Sequence, residues 1–390
     1  MKSELSKPEM ALFLPWSILG GNCRVVHEIL RIAWFEGILY MNVDEGLQEL
    51  QRFLRTKPIV LVGTGLSMSM GLPGMPELLT HLRQTIPDVF SGDTATLAQW
   101  ASCLELIDKH GFEGGLGRVH LSDNLLKAVI QEAVRLVRPS DQKFGHSLAI
   151  GERTEFPFAR LLKHLVQSLS PSNQTLDVVT PNYDHLVEYA CDLIQVSYQT
   201  GFQGGFIKRF DPTSFDEHYY IPGPPLKNRP SYRQVPRVRL LKPHGSLYWR
   251  RFGSAVVETQ IDIDSGESII ITPGSTKYEA SLTDSVMNRH RELANQCILR
   301  AESVLVIGYG FNDDHLQTVL YDRIKDGMEC LVLTKVLSEQ GRQWIKSFPN
   351  MIALEQGEND STTRWYARGS YGEWDGRFWS LDYFVHSVIG

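Results

Sequence analysis

Apolar positions along the 390-residue chain change their spacing several times, and each change marks an element. Val43, Leu47, Leu50 and Leu54 recur at helical spacing, with Asn42 and Glu45 placed as N-cap and reciprocal partner, so a helix is predicted to lead into Lys57. Pro58 to Val62 is continuously apolar, the pattern of a strand covered on both faces of a parallel sheet, and it stops at Gly63-Thr64-Gly65. Helices are predicted at 76–85, 96–110, 122–137 and 156–169, with Leu126, Ile130, Val134 and Val137 as the inward stripe of the third. The stretch 72–170, punctuated by glycines at 111–117, is too long for one crossover helix and reads as a helical insertion lying over the sheet.

Beyond it, Thr175 to Thr180 reads as a strand, followed by Pro181-Asn182-Tyr183-Asp184 and a helix from His185 to Ile194. Residues 201–236, rich in proline and glycine, read as a long loop or cover. Val238 to Leu241 is a short strand leading to Lys242-Pro243-His244-Gly245-Ser246, and two apolar runs, Val256 to Ile263 and Ser268 to Thr272, flank Asp264-Ser265-Gly266 as a hairpin would. A helix at 284–300, a strand at 303–307, the turn Gly308 to His315, a strand at 330–335, a segment at 337–348 and a strand-like 352–355 complete the alternation. The fold class expected is α/β, a Rossmann-like doubly wound parallel sheet with a helical insertion and no zinc module. It divides into an N-terminal extension at 1–40, a body at 41–335 and an aromatic-rich C-terminal extension at 336–390.

Composition adds exclusions. At 42% hydrophobic and 22% charged the chain is globular, and a net charge of −6 offers no basic excess for nucleic acid or anionic lipid, so direct nucleic-acid binding is not indicated. The five cysteines are scattered, with no pair at the two-residue separation of a zinc knuckle, so no metal is predicted and reduced thiols in a cytoplasmic core are expected. Ala11 to Leu19 is apolar, but Pro15 interrupts it and Glu4 and Glu9 spoil a basic leader; it is neither a signal peptide nor long enough to span a bilayer. Two readings of residues 1–40 stand side by side: an amphipathic helix at 25–40 packing on the body or a neighbouring subunit, or translation that truly begins at Met41.

Ligands of doubly wound sheets sit at the carboxyl ends of strands, and the unusual residues of this chain gather there. Gly63, Thr64, Gly65 and Ser67 follow the first strand, where glycines let backbone amides approach a phosphate. Asn182 and Asp184 follow the second, and His244 the third, between a rigid and a permissive neighbour; Gly308, Gly310, Asp313 and His315 follow the fourth. Each of these also has a bland reading as a turn or cap residue, and for Asp313 and His315 a helix cap is as good a reading as ligand contact.

The four segments, in this order, resemble the sirtuin family, in particular the sirtuin-like NAD hydrolases of bacterial antiphage defence. Gly63 to Ser67, continuing to Gly71-Leu72-Pro73, is similar to the family's nucleotide loop; Asn182-Tyr183-Asp184, His244-Gly245-Ser246 and Gly308 to His315 are similar to its three other motifs. Pro273 to Tyr278 and Tyr383-Phe384-Val385 resemble the sirtuin subunit that works beside a HerA-type hexameric ATPase. Thr64, Pro181 and Pro243 depart from the family pattern, and Pro181 counts against acyl-lysine handling. The resemblance implies NAD as substrate, cleaved to nicotinamide and ADP-ribose, with Asn182 and His244 as catalytic residues, the first orienting and the second acting as base. Gly63, Thr64, Gly65, Ser67, Asp184, Gly308, Gly310, Asp313 and His315 would bind the dinucleotide. It further implies a homo-oligomer gated by assembly, with the C-terminal aromatics, Trp365 to Phe384, as core or interface. The competing readings are a nucleotide sensor or scaffold without turnover, a protein deacylase, for which the four-cysteine module is missing, and a nuclease subunit, for which no metal-carboxylate cluster is evident.

Overall fold

Strand β1 (Ile59–Val62) lies inside a nine-stranded sheet because its four residues are all apolar and all four are buried. It was located in a computed structural model that describes residues 41–226, 229–261, 265–271 and 284–390, excluding the side chains of Glu113, Leu226, Asp314 and His315. The expectations at 1–40 and at Pro273 to Tyr278 lie outside the described residues. Residues Asn42–Gly390 form one contact unit, within which everything below is placed.

The chain runs α1 (Val43–Leu54), β1, α2 (Thr64–Ser69), then the helices α3 (Met75–Val89), α4 (Thr94–Leu116), α5 (Asp123–Ala149) and α6 (Pro157–Gln167). The expected capping box of α1 is present: Asn42 Oδ1 accepts from the Glu45 amide at 2.9 Å and Glu45 Oε2 from the Asn42 amide at 3.1 Å. Next come β2 (Thr175–Val179), α7 (Leu186–Leu193), β3 (Ser197–Gln199), β4 (Phe202–Gly204) and β5 (Ile207–Phe210). They are followed by β6 (Tyr220–Leu226), β7 (Arg229–Gln234), β8 (Arg237–Leu241), β9 (Gly245–Phe252), β10 (Ala255–Thr259) and β11 (Glu267–Ile270). The remainder is α8 (Ser285–Arg300), β12 (Ser303–Ile307), α9 (Asp314–Lys325), β13 (Glu329–Leu333), α10 (Glu339–Ser347), β14 (Met351–Gln356), β15 (Thr362–Ala367), β16 (Ser370–Asp375) and α11 (Leu381–Phe384).

The large sheet has the order β16-β15-β14-β13-β12-β1-β2-β8-β3, parallel from β14 to β3 and antiparallel at β15 and β16. Strand alternation sends Ile59, Leu61, Val304, Val306 and Val332 into a core closed by α8, α9 and α10, through residues such as Leu293, Leu320 and Trp344. The C-terminal segment adds β14–β16 to this same sheet, with Trp365 and Trp374 buried on it. The insertion has its own core, built from Leu82, Trp100, Ile107, Leu125 and Val129, which takes in Leu247, Tyr248 and Ile270 of a second sheet. On α5 the deepest face runs through Leu125, Val129 and Ala133, while the expected Leu126, Ile130 and Val137 flank it half-buried.

Two expectations need correction. Residues 201–236 are not a structureless cover: β4 and β5 join a five-stranded sheet ordered β11-β9-β10-β5-β4, and β6 pairs with β7 as a separate ribbon. Strands of three or four residues carry too few positions to show a period of two, and Pro222, Pro224 and Pro225 are tolerated in β6 because a two-stranded ribbon is all edge. The second correction concerns the hairpin around Asp264-Ser265-Gly266. Its flanking runs become β10 and β11, which pair with β9 on opposite sides rather than with each other. The long buried strand β9, hidden behind the His244 turn in the sequence, takes both as partners.

Candidate functional site

Parallel strands bring their carboxyl ends to one edge, and the turns after β1, β2, β8 and β12 meet there. Glycine is required where two of them touch. The Gly63 and Gly65 amides donate to Ile307 O and Gly308 O, each at 2.8 Å, and a Cβ on Gly65 would lie 2.7 Å from Gly308 Cα. Gly308 itself has φ +57. Close packing of two turns therefore explains Gly63 and Gly65; their N–H groups serve neighbouring carbonyls rather than standing open to a phosphate.

A cavity of about 890 Å³ opens between these turns and the insertion. Thr64 and Ser67 border it from the first turn, Asn182 and Asp184 from the second, His244 from the third, and Gly308, Gly310 and Asp313 from the fourth. Gly63 and Gly65 are not on its border, and the side chain of His315 lies outside the described ones. The two residues expected to do chemistry, Asn182 and His244, thus share one cavity. The border also takes in residues of the insertion that were not expected in the site, among them His110, Phe112 and Arg118.

The second turn is held from behind. Ser67 Oγ donates to Asp184 Oδ2 at 2.6 Å and accepts from Asn182 Nδ2 at 3.0 Å, so one buried hydroxyl fixes both side chains. With one N–H of Nδ2 engaged there, the Asn182 amide still has its second N–H and its Oδ1. Asp184 Oδ1 accepts from the Leu186 amide at 3.2 Å, at the start of α7. Burial pushes the Asp184 carboxyl above the ordinary carboxylate range, against the pull of the Lys242 ammonium. Lys242, fully buried, donates to the Asp184 carbonyl and to Glu188 Oε1 at 2.8 Å.

Further back, His185 lies 3.4 Å from Asp141 through Nδ1 and stacks on Tyr248 at 4.3 Å. Burial alone would lower its pKa; Glu188 and Asp141 outweigh that and raise it, favouring the imidazolium. Burial pushes the Asp141 carboxyl up, but the hydrogen bonds from His185 and its charge bring it below the usual range. None of Lys242, Glu188, His185 or Asp141 was expected as part of the site; for the first three the signal available was their position beside the motif turns, while Asp141, in the insertion helix α5, carried none.

The third turn is fixed by its backbone. Gly245 has φ +83, and a Cβ there would collide with the Ile269 carbonyl of β11, while the Ile271 amide donates to His244 O at 2.9 Å. His244 Nε2 then meets Asp313 Oδ2 at 2.7 Å, a pair between the third and fourth turns that spacing alone does not reveal. The pair orients the imidazole through Nε2, with Nδ1 as the second ring nitrogen. In the fourth turn Phe311 adopts φ +55 with its ring buried against Trp344, a conformation non-glycine residues rarely hold.

A smaller cavity of about 300 Å³ is bordered by Glu188, Asp192, Lys208 and Glu258 and includes none of the expected site residues. Lys208 meets Glu258 there at 2.6 Å. Among the described residues no group of His, Cys, Asp and Glu is arranged to hold a metal, and no helix is long and apolar enough to cross a membrane.

Fold and site together define a mixed α/β protein of the Sir2-like Rossmann type, with its candidate site at the topological switch of a parallel sheet. Residues 177–354 match the family of the SIR2-like domain, which spans the Asn182, His244 and Gly308 turns. Among solved structures, the chain is similar to a mutant Sir2 homologue in complex with ADP ribose, at 12% identity over 87% of this chain and 96% of that one, TM-score 0.37. It is also similar to a Sir2 homologue in complex with NAD, at 14% identity over 75% and 84%, TM-score 0.33. A third likeness is to Sir2 bound to an acetylated peptide, at 10% identity over 75% and 88%, TM-score 0.37. No curated protein matches the chain.

Proposed function

We propose that this protein hydrolyses NAD to nicotinamide and ADP-ribose in the cavity at the sheet edge. What carries the reading is the meeting of four strand-end turns on one 890 Å³ space, with Asn182 and the His244–Asp313 pair on its border. That volume suits a dinucleotide. Nicotinamide leaves as a neutral base from a cationic glycosidic nitrogen, so the protein need not protonate it. It must hold the ribose, direct a water to the anomeric carbon and remove one proton from that water. Asn182, fixed by Ser67, offers its Oδ1 to the water or to a ribose hydroxyl. His244, steered by Asp313, takes the proton on Nδ1, while the Asp184 carboxyl stands by the charge developing on the sugar. Cleavage of the carbon–nitrogen bond and formation of the carbon–oxygen bond then yield both products and one proton.

Nicotinamide release by purified protein, alone and with the product of the neighbouring gene, is the test. His244→Ala is expected to lower kcat by about 10²–10⁴-fold, the usual worth of a general base, with the fold retained. Asn182→Ala is expected to do the same. Full turnover in both variants would refute the assignment, and tight NAD binding without nicotinamide release would replace the enzyme with a nucleotide sensor. The resemblance of Tyr383-Phe384-Val385 to the sirtuin subunit of HerA systems supports a wider reading, in which a homo-oligomer beside a hexameric ATPase restrains this activity until phage attack. Co-purification of the two gene products checks it.

A further inference from the structure

A diphosphate leaving water must be met by cations or by backbone N–H groups that serve nothing else. The three glycine amides expected to do so at the sheet edge are engaged elsewhere. The amides of Gly63, Gly65 and Gly308 donate to the carbonyls of Ile307, Gly308 and Leu333, each at 2.8 Å. Two carboxylates, Asp184 and Asp313, border the cavity and repel an anion, and His244 is already paired with Asp313. Among the described residues on its border, Arg118 is the one guanidinium.

Arg118 arrives there through a local device in the insertion. Helix α4 breaks at Gly111, with φ 77 and ψ 169, and the segment after it folds back on the preceding turn. Gly115 lies so close to the backbone of Ile107 that a Cβ would collide with it, and Leu116, 1% exposed, anchors the end of the segment. Two residues on, the Arg118 side chain is exposed along the cavity, with Nη1 donating to Gly114 O at 2.9 Å. That uses one of the five N–H groups of a guanidinium and leaves the planar fork available to an anion.

We propose that Arg118 anchors the diphosphate of the dinucleotide, so that the helical insertion holds the substrate's phosphates while the sheet edge presents the groups that react with its sugar. The proposal rests on the NAD reading of the same cavity. It accounts for the glycine-rich stretch at 111–117, which brings a guanidinium to a border that also carries the carboxylates of Asp184 and Asp313.

Titration of ADP-ribose and of adenosine into the wild-type protein, Arg118→Ala and Arg118→Lys tests it, together with steady-state NAD turnover. Arg118→Ala is expected to weaken ADP-ribose binding by about 10–100-fold and to raise KM for NAD by a similar factor. Adenosine affinity and kcat should stay within about threefold, and Arg118→Lys should restore part of the loss. If the wild-type protein binds ADP-ribose and Arg118→Ala binds it equally well, the anchoring role is overturned while the NAD reading stands. If the wild-type protein does not bind ADP-ribose, the NAD reading itself falls. A variant that loses adenosine as much as ADP-ribose, or that loses kcat at unchanged KM, would show that Arg118 shapes the cavity instead.

Discussion

Replacing Ser67 by alanine tests the site at its narrowest point. The Ser67 hydroxyl is 3% exposed by residue and makes two bonds, 2.6 Å to Asp184 Oδ2 and 3.0 Å from Asn182 Nδ2. Its removal leaves a buried carboxylate oxygen and a buried amide N–H without that partner. Each orphaned group costs about 1–3 kcal/mol, and a bond to an ionised acceptor lies at the upper end of the range. A water filling the space of the hydroxyl would recover part, so a net loss of about 2–4 kcal/mol is expected. Urea denaturation followed by tryptophan fluorescence reads the loss, and nicotinamide release reads its effect on chemistry, expected as a drop of about 10–100-fold from a loosened Asn182. The same substitution in an Asp184→Asn background should cost about 1 kcal/mol less, since the acceptor is then uncharged. A loss below about 0.5 kcal/mol with turnover intact would refute the idea that this hydroxyl holds the two side chains in place.

Other perturbations follow from the same network. Burial raises the folded-state pKa of Asp184, so its contribution to stability is full below the ordinary carboxylate pKa and declines as pH rises through the raised value. Asp184→Asn should accordingly lose less stability than the wild-type protein as pH rises from about 4 through that raised value, measured by denaturant midpoint at each pH; an identical slope would contradict it. Lys242→Met leaves Glu188 buried without its cation and is expected to cost about 3–5 kcal/mol, with recovery of at least about 1 kcal/mol on adding Glu188→Gln in a double-mutant cycle. Gly245→Ala, at φ +83 against the Ile269 carbonyl, should destabilise by about 1–3 kcal/mol and cut turnover through displacement of His244; an unchanged melting temperature would count against the strained turn. Tyr371, 74% exposed on edge strand β16, is the better probe of a C-terminal interface than truncation, because cutting after Gly357 would also remove the buried Trp365 and Trp374. Tyr371→Ser should shift the oligomer distribution in sedimentation if that edge assembles.

The parts of the fold that could be read from the sequence are those where one physical cause dominates. Val60 to Val62 and Val304 to Ile307 are apolar without a break because both faces of their strands are covered, and Asn42 with Glu45 marks a helix start through two bonds local in sequence. The turns at Asn182, His244 and Gly308 stood out because glycine, proline and asparagine gather where a chain leaves a buried strand. What stayed hidden depends on contacts between distant segments. The pairing of β9 with both β10 and β11 is decided by burial of Trp249 and Leu247, not by the Asp264-Ser265-Gly266 turn signal. The same holds for the His244–Asp313 pair, which exists because β8 and β12 end at one edge. Nothing in the spacing of Lys242 and Glu188 marks them as a buried pair, because β8 and α7 bring them together only in the folded chain.

That closure argues for a functional site independently of any likeness to other proteins. Lys242, Glu188, His185 and Asp141 lie together behind Asp184, itself on the cavity's border, and each of the five is 6% exposed or less, in a part of the fold where apolar residues of similar size would stabilise more. Such a cluster carries a desolvation cost of several kcal/mol per ion, which attraction between the members offsets only if their geometry is tight. The geometry here is tight and directional: the Lys242 ammonium is aimed at the carbonyl of Asp184, and Asp141 accepts the His185 amide at 2.8 Å, so the two ends of the one peptide group that joins Asp184 to His185 are both held. Both bonds fall on the backbone of the second turn, the one that carries Asn182 and Asp184 into the cavity. A scaffold under selection for stability alone gains nothing from clamping one turn with buried ions. A site that must hold an amide and a carboxylate steady beside a reacting sugar gains rigidity at the atoms where displacement would cost rate.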